Sequence, residues 1–145
     1  MLERIEADIK TALQQQDAVT ASVLRTLKSE LHNAEIERGG ELDETAVAAV
    51  LQKQAKQRRE SIEEYARAGR DDKAEAEQQE LAIIERYLPE PLDAAALEQF
   101  VRETIAEVGA ESPADMGKVM KALQPKIAGR AEGSVVAQAV KDQLS

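Results

Sequence analysis

Large apolar residues recur every three or four positions along most of the chain, the period of a helix with one face turned inward. Leu2, Ile5, Ile9 and Leu13 trace a first stripe, which fades in the polar run from Gln14 to Asp17. Val19, Val23, Leu24, Leu27, Leu31 and Ala34 trace a second that ends before Gly39-Gly40, with Arg25 and Lys28 on the opposite side. A third opens at Asp43, whose carboxylate can accept from the free amides of a first turn, and runs to about Ala68, where Gly69 is a stop signal. At 1.5 Å per residue that helix is about 36 Å long, longer than a small domain is wide.

The third stripe is interrupted. Gln54, Arg58 and Ser61 lie on the same face as Val47, Val50, Leu51, Ile62 and Tyr65. Arginine is almost never fully buried without a partner. Two readings follow: Arg58 pairs with a carboxylate of a neighbouring helix, Glu30 or Glu35 being the first candidates, or the helix overhangs there and Arg58 faces water.

Asp71 opens a fourth helix carrying Leu81, Ile84 and Leu88, and Leu88-Pro89-Glu90-Pro91-Leu92 then breaks helical structure twice in quick succession. This is the strongest domain boundary in the chain and divides residues 1–90 from 91–145. Asp93 caps a fifth helix with Leu97, Phe100, Val101, Thr104, Ile105 and Val108, closed by Gly109. Ser112-Pro113 with Asp115 is a further helix start. Met116, Val119, Met120 and Leu123 share one side of that sixth helix and Lys118 and Lys121 the other, and Pro125 is expected to close it. Gly133-Ser134 precede a seventh, with Val135, Val136, Ala139, Val140 and Leu144 inward. No alternating run is long enough for a strand. The pattern predicts an all-α fold: a four-helix N-terminal subdomain and a three-helix C-terminal subdomain whose first and third helices clamp the second.

Composition makes the core thin. Leu, Ile, Val and Phe number 32 of 145 residues, with one Phe and two Tyr, so aromatic burial contributes little. Twenty-five alanines compensate, because small side chains let helices approach closely. The absence of cysteine excludes disulfides, zinc–thiolate sites, iron–sulfur clusters and thiol catalysis, and suits a reducing compartment. The first residues carry acids where a signal peptide needs an apolar run, and no stretch approaches the roughly 20 apolar residues of a membrane span. A cytoplasmic protein, or one of an organelle matrix, is expected.

Charge singles out one region. The chain carries −9 overall, yet from Pro113 to Ser145 five cations (Lys118, Lys121, Lys126, Arg130, Lys141) face three acids. A local positive patch on an acidic protein is a candidate anion site. Catalytic constellations fail by comparison. With the single histidine, His32, Ser-His-Asp and Cys-His arrangements would rest on one unplaced ring, and its spacing from Glu35 supplies only part of what a carboxylate-bridged metal pair needs. Gly117-Lys118 lacks the other residues of a phosphate-binding loop, and Glu63-Glu64 and Asp71-Asp72 fit solvated faces and helix starts. No cofactor is expected.

The segment Asp115-Met-Gly-Lys-Val-Met-Lys, followed by Pro125-Lys and Gly129-Arg-Ala, resembles the signature of the GatB/YqeY group. Arg25-Thr-Leu-Lys-Ser-Glu with Asn33 and Glu35, Arg58-Arg-Glu-Ser with Tyr65, Ala68-Gly-Arg and Tyr87-Leu-Pro also resemble its stand-alone members, so the likeness extends over essentially the whole chain. It implies a two-part helical fold and kinship with the tail of the B subunit of glutamine-dependent aspartyl/glutamyl-tRNA amidotransferase. In that enzyme the tail grips tRNA while the amide chemistry is done elsewhere. Carried over by position, Gly117, Lys118, Lys121, Lys126, Gly129 and Arg130 are the implied tRNA contacts. The chain departs from that tail at Glu132-Gly133, where an acid would repel a phosphate.

The resemblance thus implies a tRNA-binding accessory protein whose partners are tRNA and an amidotransferase or aminoacyl-tRNA synthetase. Carbon–nitrogen ligase activity with glutamine as amido donor is inherited by kinship alone, since no residues here supply it. The rival reading is a protein-interaction adaptor docking through the third helix, which the net charge of −9 favours.

Overall fold

The computed structural model describes residues 1–127 and 129–145; Ala128, inside the signature stretch, lies outside the described residues. Among the described residues there are seven α-helices and no strand: α1 (Leu2–Gln14), α2 (Ala18–Arg38), α3 (Glu44–Arg67), α4 (Asp71–Glu85), α5 (Ala94–Val108), α6 (Met116–Ile127) and α7 (Gly133–Leu144), with a 3-10 turn at Pro113–Asp115 leading into α6. The chain is all-α, as the apolar spacing predicts. It forms two compact units, Met1–Leu88 and Pro89–Ser145, against an expected boundary after residue 90.

In the first unit α1 lies along α2, α3 lies along α4, and α2 touches both members of the second pair. The core consists of Ile5, Val23, Leu24, Leu27, Leu31, Leu51, Ala55, Leu81, Ile83, Ile84 and Tyr87. Local chemistry sets the helix ends. Asp17 accepts from the Thr20 amide at 3.1 Å and its hydroxyl at 2.7 Å, and Asp43 accepts from the Ala46 amide at 2.8 Å. Gly69 has φ of 72°, a left-handed conformation costly for other residues, and this lets the Arg70 amide return to the Tyr65 carbonyl at 2.8 Å. The turn is so short that α4 must run back along α3.

That hairpin decides the fate of Arg58. It is half-buried, with 18% of its side chain exposed, and its Nε lies 3.3 Å from Glu80 and 3.6 Å from Glu77, both on α4. The pairing expectation is met, but Glu30 and Glu35 on α2 are not the partners. The physical reason is register: Arg58 stands nine residues before the end of α3 and Glu80 nine after the start of α4, so an antiparallel hairpin sets them opposite. Nε–H makes no aligned hydrogen bond, so the attraction is ionic. Gln54 is also buried.

At the other end of α4 the Tyr87 hydroxyl donates to Asp8, and the Arg4 guanidinium stacks 4.6 Å from the Tyr87 ring centroid. Burial, together with the bond to Asp8, pushes the phenol up to about 12. This polar contact ties α1 to the end of α4 and was not anticipated from the sequence.

In the second unit the core is Leu97, Val101, Val119, Leu123, Ile127, Val136, Val140 and Leu144. Each of α5, α6 and α7 packs on both others, so α5 and α7 both pack on α6 as expected and also touch each other. Pro125 lies inside α6, which continues to Ile127. Proline costs a helix the amide bond to the carbonyl four residues back, here that of Lys121. Both residues are exposed, so water can meet that carbonyl, and burial of Ile127 holds the last turn.

Removing the charge of Arg58 while keeping its apolar stem, as in Arg58→Met, leaves Glu77 and Glu80 facing each other half-buried. The expected cost is about 2 kcal/mol by denaturant titration. Burial first, and then repulsion from Glu80, already raise the carboxyl of Glu77. A raised value means that its contribution is fully present at low pH and is lost as pH climbs above about 4.3 and through the shifted value. Glu77→Gln is therefore expected to gain stability relative to wild type as pH rises through that window. Parallel stability–pH curves of the two proteins would refute the assignment.

Candidate nucleic-acid interface

The six residues implied as contacts occupy α6 and the segment after it, and the structure divides them. Gly117, Lys118 and Lys121 lie on the exposed face of α6, with Val119 and Leu123 buried on the opposite side. Neither lysine makes an ion pair or hydrogen bond among the described residues. A Cβ placed on Gly117 would meet nothing within 4 Å, so the backbone there is open to a close approach.

The start of this helix is fixed by Asp115. Its carboxylate accepts from the amides of Glu111 at 2.9 Å and Ser112 at 3.4 Å, while the Asp115 amide returns to the Ser112 carbonyl at 2.9 Å. The Glu111 amide is the main cause of its lowered pKa, with Ser112 and the nearby Lys118 charge adding to it. A lowered value means that the contribution is present above about pH 3.9 and lost as pH falls through the folded value. The helix start therefore holds at neutral pH, and Asp115 offsets part of the field of Lys118.

The other two cations turn to the chain's own oxygens. Lys126 reaches α5, where its ammonium pairs with Glu107 and donates to the Thr104 hydroxyl at 3.3 Å. That hydroxyl in turn donates to the Phe100 carbonyl at 2.7 Å, which satisfies a fully buried threonine. Arg130 donates from Nε to the Glu90 carbonyl at 2.8 Å, and its own carbonyl accepts from the Leu92 amide at 2.9 Å. Gly129, with φ of 78°, supplies the left-handed turn that precedes Arg130. The six residues thus split into an open group of three and a structural group of three.

Sequence reasoning missed the second role. A signal for it existed: Thr104 and Glu107 are three apart on α5, so a hydroxyl and a carboxylate share one face and offer a seat to a facing cation. A cavity of the second unit, about 760 Å³, lies between α5 and α7 and is lined by Leu92, Leu97, Val135 and Ala139 with Glu98, Arg102 and Asp142. No group of three or more acidic, histidine or cysteine side chains among the described residues could hold a metal ion. Among the described residues no helix is long and apolar enough to cross a membrane.

Comparison with known proteins now adds to the geometry. The profile of the family described as Yqey-like protein matches residues 2–144. The chain belongs to the Yqey-like family. Among curated relatives, "Altered inheritance of mitochondria protein 41, mitochondrial" of Meyerozyma guilliermondii is 42% identical over 87 residues, covering 60% of this chain and 46% of the relative. The protein of the same name from Pyrenophora tritici-repentis is 28% identical over 136 residues, covering 92% of this chain and 75% of the relative. That of Lachancea thermotolerans is 36% identical over 85 residues, covering 58% of this chain and 46% of the relative. In most of these matches, then, the chain spans less than half the length of its Yqey-like relative.

These names overturn the expectation of a cytoplasmic protein, because the relatives are named as mitochondrial. The features behind that expectation, early acids and the absence of cysteine, suit any reducing compartment and do not separate one from another.

The structural role given to Arg130 has a direct check. Arg130→Met removes the bond to the Glu90 carbonyl and is expected to cost about 1–2 kcal/mol, with faster hydrogen exchange at the Leu92 amide. Arg130→Lys is expected to behave like Met, because lysine has no donor at the Nε position. Unchanged exchange at Leu92 would show that the bond does not hold the segment.

Proposed function

We propose that this Yqey-like protein is a tRNA-binding accessory module that meets phosphate backbone through Gly117, Lys118 and Lys121 on the outer face of α6. The observation that carries the reading is that these two lysines are exposed and without an internal partner among the described residues, beside open glycine backbone, whereas half-buried cations such as Arg58 and Lys126 are engaged. Lys126, Gly129 and Arg130 serve the interface indirectly, by holding the end of α6 and the segment after it. The kinship to an amidotransferase tail supports the choice of tRNA, and a partner carrying amide-transfer chemistry is part of the same proposal.

Ammonium groups bind phosphate oxygens as point charges and read no sequence, so recognition falls to backbone and shape. No aromatic residue lies on this face to stack on a base. With two cations the salt dependence is shallow, a slope of roughly −2 for log K against log salt.

Titration with total tRNA in low salt is the test. Lys118→Glu/Lys121→Glu is expected to abolish binding, while Lys126→Met weakens it only as far as α6 is loosened. Equal binding by wild type and the double variant would sink the reading.

A further inference from the structure

A different surface, in the first unit, has the opposite character. Where α1, α2 and α3 come together a crevice of about 400 Å³ opens to solvent. Its floor is aliphatic: Leu31 is buried, and Leu2, Leu42 and Val47 pack against the core while remaining half-open to water. Its charged groups are three carboxylates, Glu3, Glu35 and Glu41, and the ammonium of Met1, so its rim is net negative. None of the three carboxylates has an ion pair among the described residues.

Three side-chain cations of α1 and α2 have partners elsewhere. Arg4 donates to the Arg86 carbonyl at 3.4 Å and covers the Tyr87 ring, Lys28 pairs with Glu6 at 3.2 Å, and Arg38 pairs with Asp43 at 3.5 Å. Because α2 ends at Arg38, its carbonyl end adds further negative potential beside Glu35. Ile36, next to Glu35, is 67% exposed. Apolar surface rimmed by net negative charge is complementary to a segment that carries aliphatic side chains flanked by positive charge. The same carboxylates repel a nucleic acid.

We propose that this crevice docks a basic amphipathic helix of a partner protein, with an aliphatic side chain on Leu2, Leu42 and Val47 and its lysines or arginines on Glu3, Glu35 and Glu41. Such a helix presents apolar anchors on one face and cations beside them, the arrangement the crevice mirrors. This site and the α6 lysines lie in different units and select partners of opposite charge.

The test uses the full chain and a labelled helical peptide with leucine every three or four positions and lysine between, set against its counterpart with glutamate for lysine. The lysine peptide is expected to bind and to shift the methyl resonances of Leu2, Leu42 and Val47. Glu3→Gln/Glu35→Gln/Glu41→Gln is expected to weaken binding by about tenfold, as is raising salt to about 0.5 M. The charge-matched control Glu63→Gln/Glu64→Gln/Asp72→Asn should leave it unchanged. Equal binding of both peptides, equal weakening by the control, shifts away from the crevice, or no binding at all would overturn the proposal. So would self-association abolished by the same triple variant, since the occupant would then be a second copy.

Discussion

Arg58 between Glu77 and Glu80 shows the constraint under which the fold is built. A chain with one phenylalanine and two tyrosines cannot wrap each helix in apolar surface, so parts of its inner faces must be polar, and every polar group there needs a partner. The partners come from within. The guanidinium of Arg58 meets two acids on α4, Lys126 meets Glu107 and Thr104 on α5, Arg130 meets the Glu90 carbonyl, and Tyr87 meets Asp8. Magnitudes rank these contacts. Loss of a half-buried charge leaves its partners unpaired and costs more than loss of an exposed pair such as Arg67 with Glu63, where water takes over.

Much of this architecture can be read from the order of residues because it is set locally. Asp43 and Asp93 accept from amides three residues on, and Gly39, Gly69 and Gly109 stand where the backbone turns left-handed, so caps and stops appear in the sequence itself. The apolar spacing predicts most of the buried faces for the same reason, but Leu13, Val19 and Val135, which it places on inward stripes near helix ends, are about half exposed. Pro125 misled because its penalty depends on what lies four residues earlier: on an exposed face near a helix end, the lost bond is replaced by water. The partners of Arg58 required a relation between two helices. A tight turn at Gly69 fixes that relation, and counting outward from it would have led to Glu80 instead of Glu30 or Glu35.

The candidate site was harder to read for a related reason. Charge counting places Lys118, Lys121, Lys126 and Arg130 together along the chain, but it is blind to where each side chain points. Helical spacing separates Lys118 and Lys121 from the buried Val119 and Leu123, and this part survives in the structure. Lys126 follows five residues after Lys121, about 140° further round the helix, on the side that faces α5, and Arg130 lies beyond the helix. A cation count over a segment therefore overstates the charge available to a ligand by the number of cations that the fold itself employs.

That correction bears on what kind of binding the proposed function allows. The first unit carries nineteen acids against thirteen cations and the second nine against six, so neither draws a polyanion in from a distance. At physiological salt the screening length is about 8 Å, so two exposed lysines act on phosphates that are already close, largely unhindered by remote acids. Two such contacts give weak binding alone. They become useful when something else supplies the proximity, because a tethered second contact is governed by effective concentration and not by its own affinity. On the proposed reading, the α6 lysines are one arm of a bivalent arrangement, and a protein partner held at the acidic crevice is the arm that brings tRNA within their reach.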